Sequence, residues 1–109
     1  MTIHEIQRLT AARFGVTRCD LLSRRQGFAQ ARPRQAAMWL ARHVTPCSFP
    51  EIGRAFDRDH STVMHDIRKV DERMAQDQAF AALMWDLLAA VDPVESVEIR
   101  RLRMRRVAA

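Results

Sequence analysis

Three times in its first 51 residues the chain places a serine or threonine three positions before an acid: Thr2 and Glu5, Thr17 and Asp20, Ser48 and Glu51. This is the spacing of a capping box, in which the hydroxyl accepts the N–H of the acidic residue and the acid reaches back to the N–H of the hydroxyl residue. The two bonds close together only where a helix begins, so each pair predicts a helix start. After each start apolar residues recur at three- and four-residue spacing. No stretch shows the alternating, β-branched pattern with paired turns that a sheet requires. The expected fold is therefore all-α.

The first helix carries Ile3, Ile6, Leu9 and Phe14 and stops at Gly15. A short second helix holds Leu21 and Leu22, and the polar stretch from Arg24 to Ala31 reads as a loop. Pro33 suits the first turn of a third helix, where its missing N–H costs nothing, and Ala36, Ala37, Leu40 and Ala41 form that helix's buried side before Thr45 and Pro46. A two-turn fourth helix carries Ile52, Ala55 and Phe56. Asp59 can cap a fifth, with Val63, Ile67, Val70 and Met74 on its apolar face as far as about Ala75. Asp77 can cap a sixth, whose stripe runs from Phe80 through Leu83, Met84, Leu87 and Leu88 to Val91, closed by Asp92 and Pro93. Trp39, Trp85 and the methionines at 38, 64, 74 and 84 are expected in the core. The expectation is a compact six-helix domain over residues 1–92, followed by a basic tail at 93–109, where Ser96 can cap a last helix.

A length of 109 residues suits one hydrophobic core and is too short for two ordinary domains. No apolar run approaches the roughly 20 residues that cross a bilayer, and the N-terminus lacks a basic region followed by an apolar one, so the expected location is the cytoplasm, without a membrane partner. Only Cys19 and Cys47 are present, too few for a disulfide scaffold. A zinc site built from Cys19, His43, Cys47, His60 and His65 is disfavoured, because His60 and His65 stand five apart on different helix faces and neither cysteine belongs to a CxxC pair. No nucleophile is linked to a base, and none of the three glycines lies in a phosphate-cradling loop. The chain is not expected to be an enzyme or to hold a cofactor or metal.

Its charge points instead to a polyanion. The formal net charge is +5, and the charges lie in blocks: residues 18–34 carry +4, residues 78–99 carry −4, and 100–109 hold five arginines. Between Ser48 and Met74 a short helix, a turn of about three residues at Asp57, Arg58 and Asp59, and a longer helix with polar residues at its start follow the order of a helix-turn-helix. A recognition helix enters the major groove by its N-terminal end, where unpaired N–H groups and the positive end of the dipole favour phosphates. Asp59 can accept from a cytosine amine, His60 and Thr62 can contact thymine, and Ser61 is short enough for a phosphate or a base. Asp59 is equally readable as a plain N-cap, and Ser61 and Thr62 as a solvated first turn.

The strings ARPRQAAMWLA at 31–41, SFPEIGRAF at 48–56 and RDHSTVMHDIRKV at 58–70 resemble the DNA-binding C-terminal domain of the bacterial replication initiator DnaA, and the resemblance runs from about Ile3 to Ala90. It implies a helical domain that binds double-stranded DNA at a DnaA box, a site of the TTATNCACA type, with a recognition helix in the major groove and an arginine loop in the adjacent minor groove. It also implies base contacts from Asp59, His60 and Thr62. Backbone or mixed contacts are expected from Ser61, Arg34, Gln35, Arg58, Lys69 and, in the basic loop, Arg24 and Gln26, with Arg25 counted among the base contacts. Two departures stand out. Family members commonly read FGGRDH where this chain reads FDRDH, one residue shorter and without glycine. Aligning through RPRQ also places Gln26 where the minor-groove arginine would stand; Arg25 is expected to enter that groove, since a narrow A·T segment attracts a cation.

The initiator's ATPase module would lie before this domain, and the chain begins within three residues of its first helix. The expectation is a free-standing, nucleoid-associated reader of DnaA-box-like DNA, without ATPase activity, that regulates replication initiation or transcription and can compete with the initiator for its sites. The alternative is a protein-interaction module that binds the initiator or replication machinery through the acidic 78–99 stretch and touches DNA only weakly. Oligomeric state, the exact site and the sign of regulation are not legible in the chain.

Overall fold

The computed structural model describes residues 2–23 and 28–91, and among these every regular element is an α-helix. The order is α1 (Ile3–Phe14), α2 (Arg18–Leu22), α3 (Phe28–Val44), α4 (Phe49–Phe56), α5 (His60–Gln76) and α6 (Gln78–Val91). The capping pairs sit where helices begin. Thr17 and Asp20 exchange both bonds, at 3.0 and 3.1 Å, and Ser48 and Glu51 do the same at 3.2 and 3.3 Å. At the first pair the Thr2 hydroxyl accepts from the Glu5 N–H at 3.2 Å. Asp77 caps α6 by accepting from the Phe80 N–H at 3.1 Å. Gly15 ends α1 in the left-handed region, φ 72°, a conformation that glycine adopts without a Cβ penalty.

α3 is the central helix and packs against all five others. Residues 36 to 41 are inaccessible on every side. Met38 and Trp39, expected in the core, are buried there beside Ala36, Ala37, Leu40 and Ala41, because a stretch of helix surrounded by neighbours has no face left for water. Each helix supplies at least one fully buried apolar side chain to the common core: Ile6, Leu21, Trp39, Phe56, Val63 and Met84. Burying such side chains is worth about 1.5 to 3 kcal/mol each. Trp39 also donates its indole N–H to Asp71 on α5 at 2.8 Å and meets Trp85 on α6 edge-on at 6.3 Å.

Two expectations are corrected. α3 begins at Phe28, inside the stretch read as loop, and Pro33 lies within it rather than in its first turn. The reason is that N–H groups of a first turn are unpaired in any helix, so a lead-in turn before Pro33 sacrifices little more than one ladder bond. Met64 is exposed, at 40%, not core: it falls between Val63 and Ile67, off the stripe that faces α3 and α4. Met38 and Met84 are buried, and Met74 packs at the core's edge. No helix among the described residues is long and apolar enough to cross a membrane. The 93–109 tail, with Arg100 to Arg106, lies outside the described residues, as do Arg24, Arg25 and Gln26.

Candidate nucleic-acid interface

The shortened, glycine-free turn closes by two local devices. Asp57 takes the left-handed conformation, φ 55°, the one non-glycine residue with positive φ among those described. Short polar side chains tolerate that region better than most. The N–H groups of Asp57 and Arg58 then return to the carbonyls of Arg54 and Gly53, at 3.4 and 2.8 Å, satisfying the end of α4 in the manner of a Schellman motif. Gly53 makes the return possible: a Cβ there would stand 2.5 Å from the Arg58 carbonyl oxygen.

Out of this turn α5 begins with its polar residues exposed. Asp59 is the N-cap, and its carboxylate accepts from both the N–H and the hydroxyl of Ser61. The His60 Nδ1 lies 3.5 Å from its other oxygen. The Ser61 bonds, hydroxyl first, hold the Asp59 carboxyl below the usual carboxylate range. Depression of this sign keeps the cap ionised at neutral pH, and its contribution disappears only as the pH falls through the lowered value. The capping and recognition readings of Asp59 are compatible, because a carboxylate has about four acceptor sites and the cap uses two. Ser61 has given its single hydroxyl proton to Asp59, so it turns acceptor lone pairs outward, which suit a base amine better than a phosphate. Thr62 is exposed one residue further on.

Beside this helix end a groove of about 560 Å³ opens between α3 and α5. Arg34, Gln35, Arg58, Thr62 and Lys69, all expected at the interface, line it together. His65 and Asp66 line it too and were not foreseen as site residues. On α5, Thr62, His65 and Lys69 follow one another at helical spacing, a signal present in the sequence but masked by the stronger match at the helix start. Asp66 is buried, and burial pushes its carboxyl up, against the Gln35 amide that donates to it at 3.3 Å. Exposed Met64 adds an apolar surface to the same helix.

The two arginines are already engaged. Arg34, only 5% exposed, donates from Nε to the Leu21 carbonyl at 2.9 Å and from Nη2 to the Ser23 carbonyl at 2.8 Å. Arg58 donates to the same Ser23 carbonyl at 2.5 Å and to those of Phe56 and Asp57 at 3.2 and 3.0 Å. Burial first, and the neighbouring Arg58 second, pull the Arg34 guanidinium below its ordinary value, with Asp66 opposing. Among the described residues, no three His, Cys, Asp or Glu side chains gather as a metal site.

The profile of the bacterial DnaA protein helix-turn-helix matches residues 3–70. Over 82 residues the chain is 50% identical to the chromosomal replication initiator protein DnaA of Caulobacter vibrioides, covering 74% of this chain and 17% of that protein. It is 48% identical to the protein of the same name from Cereibacter sphaeroides over 82 residues, 74% of this chain and 18% of that one. For Bartonella quintana the figures are 49% over 80 residues, 72% and 16%. The match thus spans about a sixth of the length of these curated relatives.

Proposed function

The chain belongs to the bacterial DnaA helix-turn-helix family, and from that premise we propose that it binds double-stranded DNA sequence-specifically at DnaA-box-like sites, through α5 in the major groove. The observation that carries this reading is the start of α5, where Asp59, His60, Ser61 and Thr62 stand exposed on a capped helix N-terminus beside a groove holding Gln35 and Lys69. Base contacts fall to Asp59, His60 and Thr62. Met64 adds apolar contact of the kind a thymine methyl accepts. Lys69 and Gln35 take backbone or mixed contacts, Ser61 is a mixed contact whose hydroxyl accepts from a base amine, and Arg25 reads the minor groove, with backbone or mixed contacts from Arg24 and Gln26. The unit assigned to this task is 1–92, with 93–109 as a basic tail.

These 109 residues contain no phosphate-cradling glycine loop, so the reading assigns them DNA binding without nucleotide hydrolysis. Occupancy of DnaA-box-like sites would regulate replication initiation or transcription by competing with the initiator, which genome-wide occupancy mapping tests directly. The biochemical test compares a fluorescent duplex carrying a TTATNCACA-type site with a scrambled duplex at physiological salt. Equal affinities would reject the reading.

His60→Ala and Thr62→Ala are each expected to cost about 1 to 3 kcal/mol of discrimination while leaving scrambled-duplex affinity nearly intact, because base contacts carry specificity and phosphate contacts do not. Equal losses on both duplexes would move these residues to the phosphate class. Deleting residues 100–109 is expected to lower both affinities together and to flatten the salt dependence by roughly two to three units, as befits two or three lost phosphate contacts. A truncated protein with the full salt slope would place the tail off the DNA.

A further inference from the structure

Two guanidinium groups meet at one backbone carbonyl, an arrangement that like charges oppose unless something else holds them there. Arg34 on α3 and Arg58 in the turn both donate to the carbonyl of Ser23, which is the C-cap of α2. Together they also take the carbonyls of Leu21, Phe56 and Asp57. Carbonyls at the C-terminal ends of α2 and α4 supply the negative partial charge that a cation needs, and the buried Asp66 carboxyl acts electrostatically on both arginines. The other end of α2 is tied as well. Arg18 donates to Gln7 at 2.9 Å, and Gln7, buried in α1, donates to the Ala55 carbonyl of α4 at 3.0 Å. α2 is thus strapped at its start to α4 and at its end to the turn that launches α5.

We propose that Arg34 and Arg58 are positioning residues and not phosphate ligands: by clamping the C-terminal carbonyls of α2 to the turn, they set how α5 presents Asp59, His60 and Thr62 to a duplex. Geometry separates the two roles. A phosphate ligand keeps its donors toward solvent, whereas Arg34 is almost wholly enclosed and Arg58 has donors on three carbonyls of the protein itself. Only a planar fork of several N–H donors reaches carbonyls of two elements at once; a lysine ammonium supplies the charge without the fork. In the groove this leaves Lys69, exposed on α5, as the cation available to a phosphate.

The inference rests on the DNA-binding reading above, and its test keeps the two apart. Failure of the wild-type protein to prefer the box over the scrambled duplex sinks that reading. Given that preference, Arg58→Lys is expected to keep the wild-type salt slope and scrambled-duplex affinity while the box-to-scrambled ratio falls about tenfold. Lys69→Gln is expected to do the reverse, losing about 0.9 of salt slope with the ratio unchanged. An Arg58→Lys protein with the wild-type ratio overturns the proposal, since a phosphate contact survives that change. So does an Arg58→Ala protein that loses about 0.9 of slope at constant ratio. Should the Arg58 variants not fold, the unaltered protein still decides: the Arg34 Nε–H resonance should be protected from exchange without DNA and hold its shift when box duplex is added. A large shift on binding, or fast exchange in the free protein, overturns the clamp.

Discussion

Trp39→Ala is expected to lower the unfolding free energy by about 3 to 5 kcal/mol, the range for emptying a buried large aromatic site. Trp39 is fully inaccessible in the middle of α3, and its ring holds three neighbours together. The indole N–H is bonded to Asp71 of α5, the ring centroid lies 4.2 Å from that of the tilted His43 ring, and Trp85 of α6 meets it edge-on. Removing it opens a cavity between α5 and α6. A domain of this size has total stability of roughly 5 to 15 kcal/mol, so a loss in that range leaves a substantial unfolded fraction on warming. Trp39→Phe keeps an aromatic ring against Trp85 and loses the hydrogen bond, whose partner Asp71 is half-exposed and can turn to water; the expected loss is about 1 to 2 kcal/mol. Urea denaturation of both variants checks the pair. An alanine variant within about 1 kcal/mol of wild type would mean that the site collapses and that Trp39 does not link α5 to α6.

What the sequence made legible divides by range. Helix starts were readable because a cap is a local contract: Thr17 with Asp20 and Ser48 with Glu51 need only three residues to find one another. The three-residue turn at 57–59 was readable for the same reason. The start of α3 was not, because the rule for Pro33 concerns intrinsic preference, and packing of α3 against five helices outweighs one lost ladder bond. The first turn of α5 was legible as a set of exposed polar residues, yet its internal wiring, with the Ser61 hydroxyl turned onto Asp59, was not. Arg34 and Arg58 mark the limit most clearly. Either side chain can satisfy a phosphate or a carbonyl, and the choice is made by Ser23, which lies 11 and 35 residues away. Gln7 and Thr10 were missed as buried polar groups because an apolar stripe says nothing of them. Thr10 is satisfied by the Ile6 carbonyl at 2.7 Å and Gln7 by Ala55 and Arg18.

Gly53→Ala is expected to abolish discrimination between box and scrambled duplexes, and here competing magnitudes decide the sign. Alanine in place of glycine inside a helix is ordinarily favourable by about 1 kcal/mol. At this position the new Cβ would lie 2.5 Å from the backbone oxygen of Arg58 and 3.6 Å from the carbonyl carbon of Asp59. The first contact is against main chain that cannot rotate away, so the turn itself must move. Overpacking of this kind costs typically about 1 to 3 kcal/mol, enough to cancel the propensity gain and leave a net loss of roughly 0 to 2 kcal/mol by the difference of those two ranges. The larger effect falls on function. The bond from the Arg58 N–H to the Gly53 carbonyl, now 2.8 Å, closes the turn, and Arg58 and Asp59 are the last residues before the recognition helix. A shift of the turn carries Asp59, His60 and Thr62 with it and pulls Arg58 from the Ser23 carbonyl. Base-edge hydrogen bonds weaken steeply outside a narrow range of distance and angle, so several are lost together. The expected result is a folded, helical protein, only modestly less stable, whose affinity for a DnaA-box duplex falls to that for the scrambled one. Gly15→Ala is the matched comparison: it strains a left-handed residue with nothing within 4 Å of the added Cβ and lies outside the helix-turn-helix, so it should lower stability and leave the affinity ratio of the folded protein unchanged. If Gly53→Ala keeps its preference for the box, the close approach of α4 to the turn does not set the recognition helix.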